Sequence, residues 1–166
     1  FIIGNGVKQS KTSKDFEILT KRNRIPFVTS RFALDLFPYS MKENMGLLGI
    51  KGTLYGEKLI KKSDLIIALG CRLAPTLSMG EPEKFAKNAK LIFVNNDINE
   101  LKNPLYKFNL KINTDLKFFF NNLKKVKKKI HKKDINWLKK CNEIKNKNTI
   151  QNIYKKSNPI DIYKLM

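Results

Sequence analysis

The sequence predicts a three-layer α/β domain, in which a parallel sheet of about six strands lies between two layers of helices. Strand-length apolar runs alternate with helical segments along the chain, and this alternation is typical of a parallel sheet. Residues 65–69 and 91–94 are continuously apolar, which indicates strands that are buried on both faces. The length of 166 residues suits one such domain.

The first predicted strand, residues 1–3, ends in Gly4-Asn5-Gly6. Ser13 then has the residue type of a helix N-cap, and the helix that follows it ends at Arg24. A proline before residues 27–29 favours extended geometry, so that a second strand is predicted there. Because residues 1–3 have the character of the middle of a buried strand, we expect the natural chain to begin upstream of them.

The middle of the chain is predicted to contain a long loop, one helix and three strands. Residues 30–52 form the loop, with a short helical turn at 33–37. A helix begins at Thr53 and leads into the strand at 65–69, and the strand at 91–94 follows. Residues 107–112 alternate in polarity, which is typical of a strand near the edge of the sheet.

The clearest helical pattern begins at Asp115 and carries one apolar stripe opposite a lysine-rich face. The stripe consists of Leu116, Phe119, Phe120, Leu123, Val126 and Ile130. A further helix is predicted at 134–146, outside the sheet core, and a linker at 155–159. The predicted division is a sheet domain at 1–124, a basic helical extension with its linker at 125–158, and the start of another domain at 159–166.

The formal net charge of +20 is compatible with a nucleic acid or an anionic membrane as partner. Asn and Ile are abundant as well, so that the composition also fits the coding bias of an AT-rich genome. The densest lysine run, residues 124–133, lies on the outer face of a predicted helix without the Arg–aromatic interleaving of nucleic-acid-binding segments. The lysine run is therefore compatible both with a solvated helix face and with a binding patch.

Several functional classes find no support in the sequence. Cys71 and Cys141 form no CxxC motif, which argues against a zinc site or a disulfide framework and favours free thiols in the cytoplasm. The longest apolar run has five residues, against about 20 for a membrane span. His131 is the only histidine and lies in the lysine run, so that it is a poor candidate for a general base. The sequence contains no P-loop and no GxSxG motif.

The candidate binding residues follow three predicted strands, where open α/β sheets bind ligands. These segments are Gly4-Asn5-Gly6, Gly70-Cys71-Arg72 and Asn95-Asn96-Asp97. The first is compatible with part of a dinucleotide fingerprint and equally with a plain tight turn. Arg72 can hold a phosphate in a bidentate fork or pair with a surface carboxylate. We expect the three segments to meet at one edge of the sheet.

Six segments in order resemble the central domain of thiamine-diphosphate-dependent enzymes of the acetolactate synthase type. They are residues 1–6, 25–30, 46–53, 63–73, 85–97 and 115–117. The resemblance covers about residues 1–123, and Asn158-Pro159 resembles the beginning of the family's third domain. It implies a Rossmann-like fold of the kind also found in sirtuins. It also implies that this domain is the middle part of a 2-oxoacid decarboxylase or carboligase, which is a lyase or a transferase.

The resemblance further implies partners for this domain. An N-terminal pyrimidine-binding domain would carry the glutamate that activates thiamine diphosphate. A C-terminal pyrophosphate-binding domain would hold Mg²⁺ through a Gly-Asp-Gly motif, which does not occur in this sequence. The full-length enzyme would be a homo-oligomer, and residues 1–166 alone would be inactive.

In several members of the family, the central domain holds FAD or an adenine nucleotide such as ADP. The positions that match this pattern are Gly4, Gly6, Gly49, Gly52, Gly70, Arg72, Asn95, Asn96 and Asp115. Residues 73–76 lack the aspartate and second arginine of the flavin-binding members, and Lys51 replaces a histidine. We therefore expect a formed but empty cleft, for which an adenine nucleotide is a better candidate than FAD.

Two alternatives belong to other classes. A sirtuin-like NAD-dependent deacylase would need a histidine in the core and four zinc-binding cysteines, and the sequence has one histidine and two cysteines. A basic nucleic-acid-binding module would need its charge on one contiguous face.

Overall fold

The computed structural model describes residues 1–126 and 132–148. Six parallel strands form one sheet in the order β3-β2-β1-β4-β5-β6, which confirms the predicted fold class. The strands are β1 (Ile2–Ile3), β2 (Phe27–Thr29), β3 (Asn44–Leu47), β4 (Leu65–Leu69), β5 (Lys90–Asn95) and β6 (Leu110–Asn113). The helices are α1 (Gly6–Gln9), α2 (Ser13–Asn23), α3 (Leu54–Lys62), α4 (Ile98–Leu101), α5 (Leu116–Leu123) and α6 (Lys132–Lys147), with 3₁₀ turns at Arg31–Ala33 and Pro75–Ser78.

Helices cover both faces of the sheet, and each face has its own apolar cluster. On one face, side chains of α3 and α6 pack against Ile2, Ala68 and Phe93. On the other face, Phe16 of α2 and Phe120 of α5 pack against the alternate residues of the same strands. This two-sided burial is what the continuously apolar strands β4 and β5 predicted.

The structure corrects the start of α2 by one residue. Its N-cap is Thr12 rather than Ser13, and its C-cap is Arg24, as predicted. Arg24 adopts a left-handed conformation with φ of 52°, which ends the helix before the chain enters β2.

Residues 30–52 were predicted as a loop with one helical turn at 33–37, but the strand β3 also lies within them. β3 is an edge strand whose sequence contains Asn44 and Gly46, two residue types that are depleted in strands. Its pairing with β2 is also irregular, since Phe27 lies opposite Asn44 and Thr29 opposite Leu47. The amino-acid composition of this segment therefore does not predict a strand.

Two further helix predictions needed correction. α5 ends at Leu123, the last residue of the apolar stripe that packs against the core, and Val126 is 64% exposed. The helix after it was placed outside the sheet core, but Leu138 and Cys141 of α6 are buried in the α3-side cluster. The predicted boundary at residue 124 stays a prediction, while the packed core includes α6.

Some predictions fall on residues that the structure does not describe. They are Ile130 of the stripe, His131, residues 127–131 of the lysine run at 124–133, the linker at 155–159 and the segment 159–166. Within the described ranges, none of the helices has the length and apolar character needed to cross a membrane.

Candidate functional site

A cavity of about 630 Å³ lies at the carboxyl edge of the sheet, between the ends of the strands from β1 to β5. Five of the nine predicted binding residues line it, namely Gly6, Gly70, Arg72, Asn95 and Asn96. The three segments that follow β1, β4 and β5 therefore meet at one edge, as the topology of a parallel sheet requires. The cavity is called the cleft below.

The glycines beneath the cleft allow the loops after β1 and β4 to touch. A Cβ atom on Gly4 would lie 2.2 Å from the Cα of Cys71, and one on Gly6 would lie 2.7 Å from the Cα of Gly70. The N–H groups of Gly4 and Gly6 donate to the carbonyls of Leu69 and Gly70, at 3.0 and 2.8 Å. The N–H of Gly70 also donates, to the carbonyl of Val94 in β5. A ligand at Gly6 or Gly70 would therefore meet Cα and carbonyl atoms rather than a free N–H of these two residues.

Gly49 and Gly52 shape the loop after β3 without lining the cleft themselves. Gly49 has φ of +109°, and a Cβ atom there would lie 2.7 Å from the carbonyl oxygen of Thr76. Ile50 donates its N–H to that same oxygen at 3.0 Å. This close approach holds Ile50 and Lys51 on the cleft wall.

Arg72 pairs with a carboxylate, which is one of the two roles that its position allowed. Its Nε lies 2.8 Å from Oε1 of Glu100 in α4. The Arg72 side chain is 81% exposed, and such exposed pairs contribute about 0–1 kcal/mol. A phosphate can therefore compete for the guanidinium, so that the predicted phosphate contact stays a prediction.

The two asparagines after β5 differ in what they can offer a ligand. Asn95 is buried, its side-chain amide donates to the Cys71 carbonyl at 3.2 Å, and its Oδ1 accepts from the N–H of Asp97 at 3.1 Å. Asn95 therefore ties the end of β5 to the end of β4. Asn96 is exposed at the cleft, where its side chain is open to a ligand.

Asp115 caps a helix and lies outside the cleft lining. Its Oδ1 accepts a hydrogen bond from the N–H of Lys117 at 2.7 Å, which satisfies a donor in the first turn of α5. Its predicted contact with a cofactor stays a prediction beside this structural role.

The ends of β2 and β3 supply a cleft wall of which only Lys51 was singled out from the sequence, as the replacement of a family histidine. This wall includes Ser30, Arg31, Phe32, Leu47, Leu48, Ile50 and Lys51. The signal was available for the first three, because they follow a strand that was predicted correctly. Leu47, Leu48 and Ile50 lie in the segment 46–53 that resembles the family, but without β3 nothing indicated that their side chains line a cavity.

The chemistry of the cleft favours binding rather than acid–base catalysis. Of the described residues that line it, none is acidic, histidine or cysteine, and the charged ones are Arg31, Lys51 and Arg72. Burial and, to a smaller extent, Glu100 raise the pKa of the nearby Cys71 thiol to about 12, so that it is not a nucleophile at neutral pH. The cations, the Asn96 amide and the apolar wall fit an anion that carries a planar group.

Within residues 1–126 and 132–148, the side chains of His, Cys, Asp and Glu form no group of three or more that could hold a metal ion.

Comparison with known proteins shows what the chain is similar to. Residues 1–123 match the family described as "Thiamine pyrophosphate enzyme, central domain"; thiamine pyrophosphate is another name for thiamine diphosphate. Over 99 residues, the chain is 33% identical to an acetolactate synthase of Mycobacterium bovis and 32% identical to the acetolactate synthase large subunit of Corynebacterium glutamicum. Each alignment covers 60% of this chain and 16% of the relative.

A relative with another printed activity lies at similar identity. The 3D-(3,5/4)-trihydroxycyclohexane-1,2-dione hydrolase of Listeria innocua is 31% identical over 101 residues, which is 61% of this chain and 15% of that protein. The aligned part of the chain thus spans about one sixth of the length of these curated relatives.

Proposed function

Because the chain belongs to the thiamine pyrophosphate enzyme family, whose central domain it matches over residues 1–123, we propose that it works as the middle domain of a 2-oxoacid decarboxylase or carboligase. The observation that carries this proposal is the family match, together with relatives whose names include acetolactate synthase. The all-parallel sheet with helices on both faces supports it. The substrate of this particular enzyme would be a 2-oxo acid such as pyruvate.

In this proposal the chain positions the cofactor domains rather than performing the chemistry. Thiamine diphosphate, when bound, supplies the nucleophilic carbon and the electron sink that cleave the bond beside a 2-oxo group. Neighbouring domains of the full-length protein would hold thiamine diphosphate together with Mg²⁺. The full-length protein would be a cytoplasmic homo-oligomer. Residues 1–166 would contribute a rigid scaffold, and without the neighbouring domains they would be inactive.

The cleft would bind a nucleotide in a structural role. Arg72 and Asn96 supply donors for a phosphate and a ribose, and the positive charges of Arg31 and Lys51 favour an anion. Residues 73–76, directly after Arg72, lack the two charged residues of the flavin-binding pattern, so that ADP is the better candidate than FAD. Loss of charged hydrogen bonds worth about 1.5–3 kcal/mol each weakens binding by about 10- to 150-fold apiece.

No observation favours the two alternative functions. The deacylase would need a zinc-binding cysteine set, and the described residues hold only Cys71 and Cys141, both buried. The nucleic-acid-binding module would need a contiguous basic face, whereas the ion-paired lysines of the described part are spread over several elements, among them α1, α2 and α3.

An activity assay on the full-length protein tests the proposal. Pyruvate is supplied with and without thiamine diphosphate and Mg²⁺, after removal of both by dialysis against a chelator, and CO₂ and acetolactate are measured. The proposal expects 2-oxo-acid turnover that depends on both additions. It is refuted if no 2-oxo acid is turned over, or if the protein removes acyl groups from lysine in an NAD-dependent reaction.

A further inference from the structure

Phe32 stands apart from nearly all other phenylalanines in the chain. Every phenylalanine except Phe32 and Phe118 packs against another aromatic ring within 6.4 Å. Phe32 is 77% exposed, which is more than any other large apolar residue described. It lies in the 3₁₀ turn directly after β2 and lines the cleft. A large ring is thus presented to solvent at the mouth of a cavity rather than buried in the core.

The cleft combines an apolar wall with a few polar and cationic groups. The ends of β2 and β3 contribute the apolar residues Phe32, Leu47, Leu48 and Ile50, with Ile50 60% exposed, and also the cations Arg31 and Lys51. The ends of β4 and β5 contribute the polar groups Arg72 and Asn96. Pockets with an apolar wall and a few placed polar groups are typical of small-molecule sites. The arrangement suits a molecule that carries both a planar apolar ring and a phosphate chain.

We infer that Phe32 is the residue on which the planar ring of the cleft's ligand stacks, and that it sets the preference for ring-bearing phosphates over bare ones. This inference rests on the proposed nucleotide-binding role of the cleft. Replacement by alanine of an aromatic side chain that stacks on a base typically weakens binding by about 5- to 150-fold. An aliphatic side chain keeps the apolar area but loses the face-to-face contact of two π systems.

Phe118 provides a matched control. It is 66% exposed and likewise lacks an aromatic partner, but it lies on α5 and does not line the cleft. Replacing either residue by alanine removes a similar exposed apolar surface, so that general effects on solubility or folding should be alike. Only the change at Phe32 removes a ring from the cleft.

The test is calorimetric titration of the full-length protein, freed of bound nucleotide, with ADP, FAD and inorganic pyrophosphate. Phe32→Ala is expected to weaken the ring-bearing ligand that wild type binds by about 10- to 100-fold, with pyrophosphate affinity unchanged. Phe32→Trp should retain the affinity, Phe32→Leu should lose most of it, and Phe118→Ala should match wild type. Whether ADP or FAD is the stronger ligand of wild type identifies the ring.

The outcomes separate this inference from the proposal beneath it. If Arg72→Ala weakens ADP or FAD binding but Phe32→Ala does not, the nucleotide site stands and the stacking role is overturned. If wild type binds pyrophosphate as tightly as ADP and FAD, the preference for a ring is overturned in the same way. If wild type binds none of the three probes, both the inference and the nucleotide role of the cleft fail, while turnover that depends on thiamine diphosphate still decides the proposed enzyme class.

Discussion

The Nζ atom of Lys145 lies 2.8 Å from the carbonyl oxygen of Asn44, and this contact joins helix α6 to the first residue of the edge strand β3. The same Nζ donates to the Tyr39 carbonyl at 3.0 Å and lies 4.2 Å from the centre of the Tyr39 ring. Lys145 is 8% exposed, and burial lowers its pKa below 10.5. In a lysine-rich chain, this lysine is therefore part of the folded core.

Replacement of Lys145 by methionine should lower the free energy of unfolding of the chain by about 2 kcal/mol. Methionine keeps much of the apolar stem, but two carbonyls lose their donor, and an unpaired buried acceptor costs about 1–3 kcal/mol. Lys139→Met, at an exposed position of the same helix, should change it by less than about 0.5 kcal/mol. Urea denaturation compares the two variants, and equal effects would show that the Lys145 contacts do not stabilise the fold.

Gly4→Ala should destabilise the chain by about 3 kcal/mol, because its Cβ would lie 2.2 Å from the Cα of Cys71, an atom that cannot move aside alone. Gly80→Ala is the matched control. Gly80 has φ of +81°, but a Cβ there meets nothing within 4 Å, so that only the left-handed strain of about 1–2 kcal/mol applies. Thermal unfolding measures both, and a Gly4→Ala variant as stable as Gly80→Ala would contradict the observed packing of the β1 and β4 loops.

Asp115→Asn separates the capping role of this residue from its predicted cofactor contact. Asparagine caps helices about as well as aspartate, so that the stability of the variant should match wild type. Asp115→Ala should lose about 1 kcal/mol, because the N–H of Lys117 loses its acceptor. If the Asp115→Asn variant, which keeps the helix cap, binds ADP more weakly than wild type, the carboxylate of Asp115 contacts the ligand directly. An unchanged ADP affinity would leave Asp115 with its capping role alone.

The stability of the chain should decrease between about pH 9 and pH 12, partly through Cys71. Burial raises the pKa of this thiol from its ordinary value of 9.0 to about 12. Its contribution to stability is therefore complete below pH 9 and is lost as the pH rises through about 12, since only the unfolded thiol ionises readily. At pH 10 the loss is about 1 kcal/mol relative to pH 8.

Comparison of wild type with Cys71→Ala at the two pH values isolates this contribution, because the other titrating groups are common to both proteins. The variant should lose about 1 kcal/mol less than wild type between pH 8 and pH 10. Equal losses would mean that Cys71 is not buried in the folded chain.

The parts of the fold that were predictable are those with local signals. Strands β4 and β5 are continuous apolar runs between turn residues, and Asp115 has both the residue type and the position of an N-cap. The edge strand β3 carried no such signal, because Asn44 and Gly46 are poor strand residues and only the pairing with β2 makes the segment extended.

The position of α6 and the composition of the cleft depend on contacts that are distant in sequence. Leu138 and Cys141 have helical spacing, but the surrounding lysines and asparagines gave no indication of what the apolar side would cover. Lys145 is buried only because carbonyls about 100 residues away accept its hydrogen bonds. The segment after β2 was predicted as a loop, and only the three-dimensional arrangement places Phe32 in the cleft.

The most direct test of the account is a calorimetric titration of thiamine diphosphate with Mg²⁺ into residues 1–166, beside the same titration of the full-length protein. We expect stoichiometric binding to the full-length protein and no measurable binding to residues 1–166, because the cofactor would be held by the neighbouring domains. Stoichiometric binding to residues 1–166 alone would contradict the role of this chain as a middle domain.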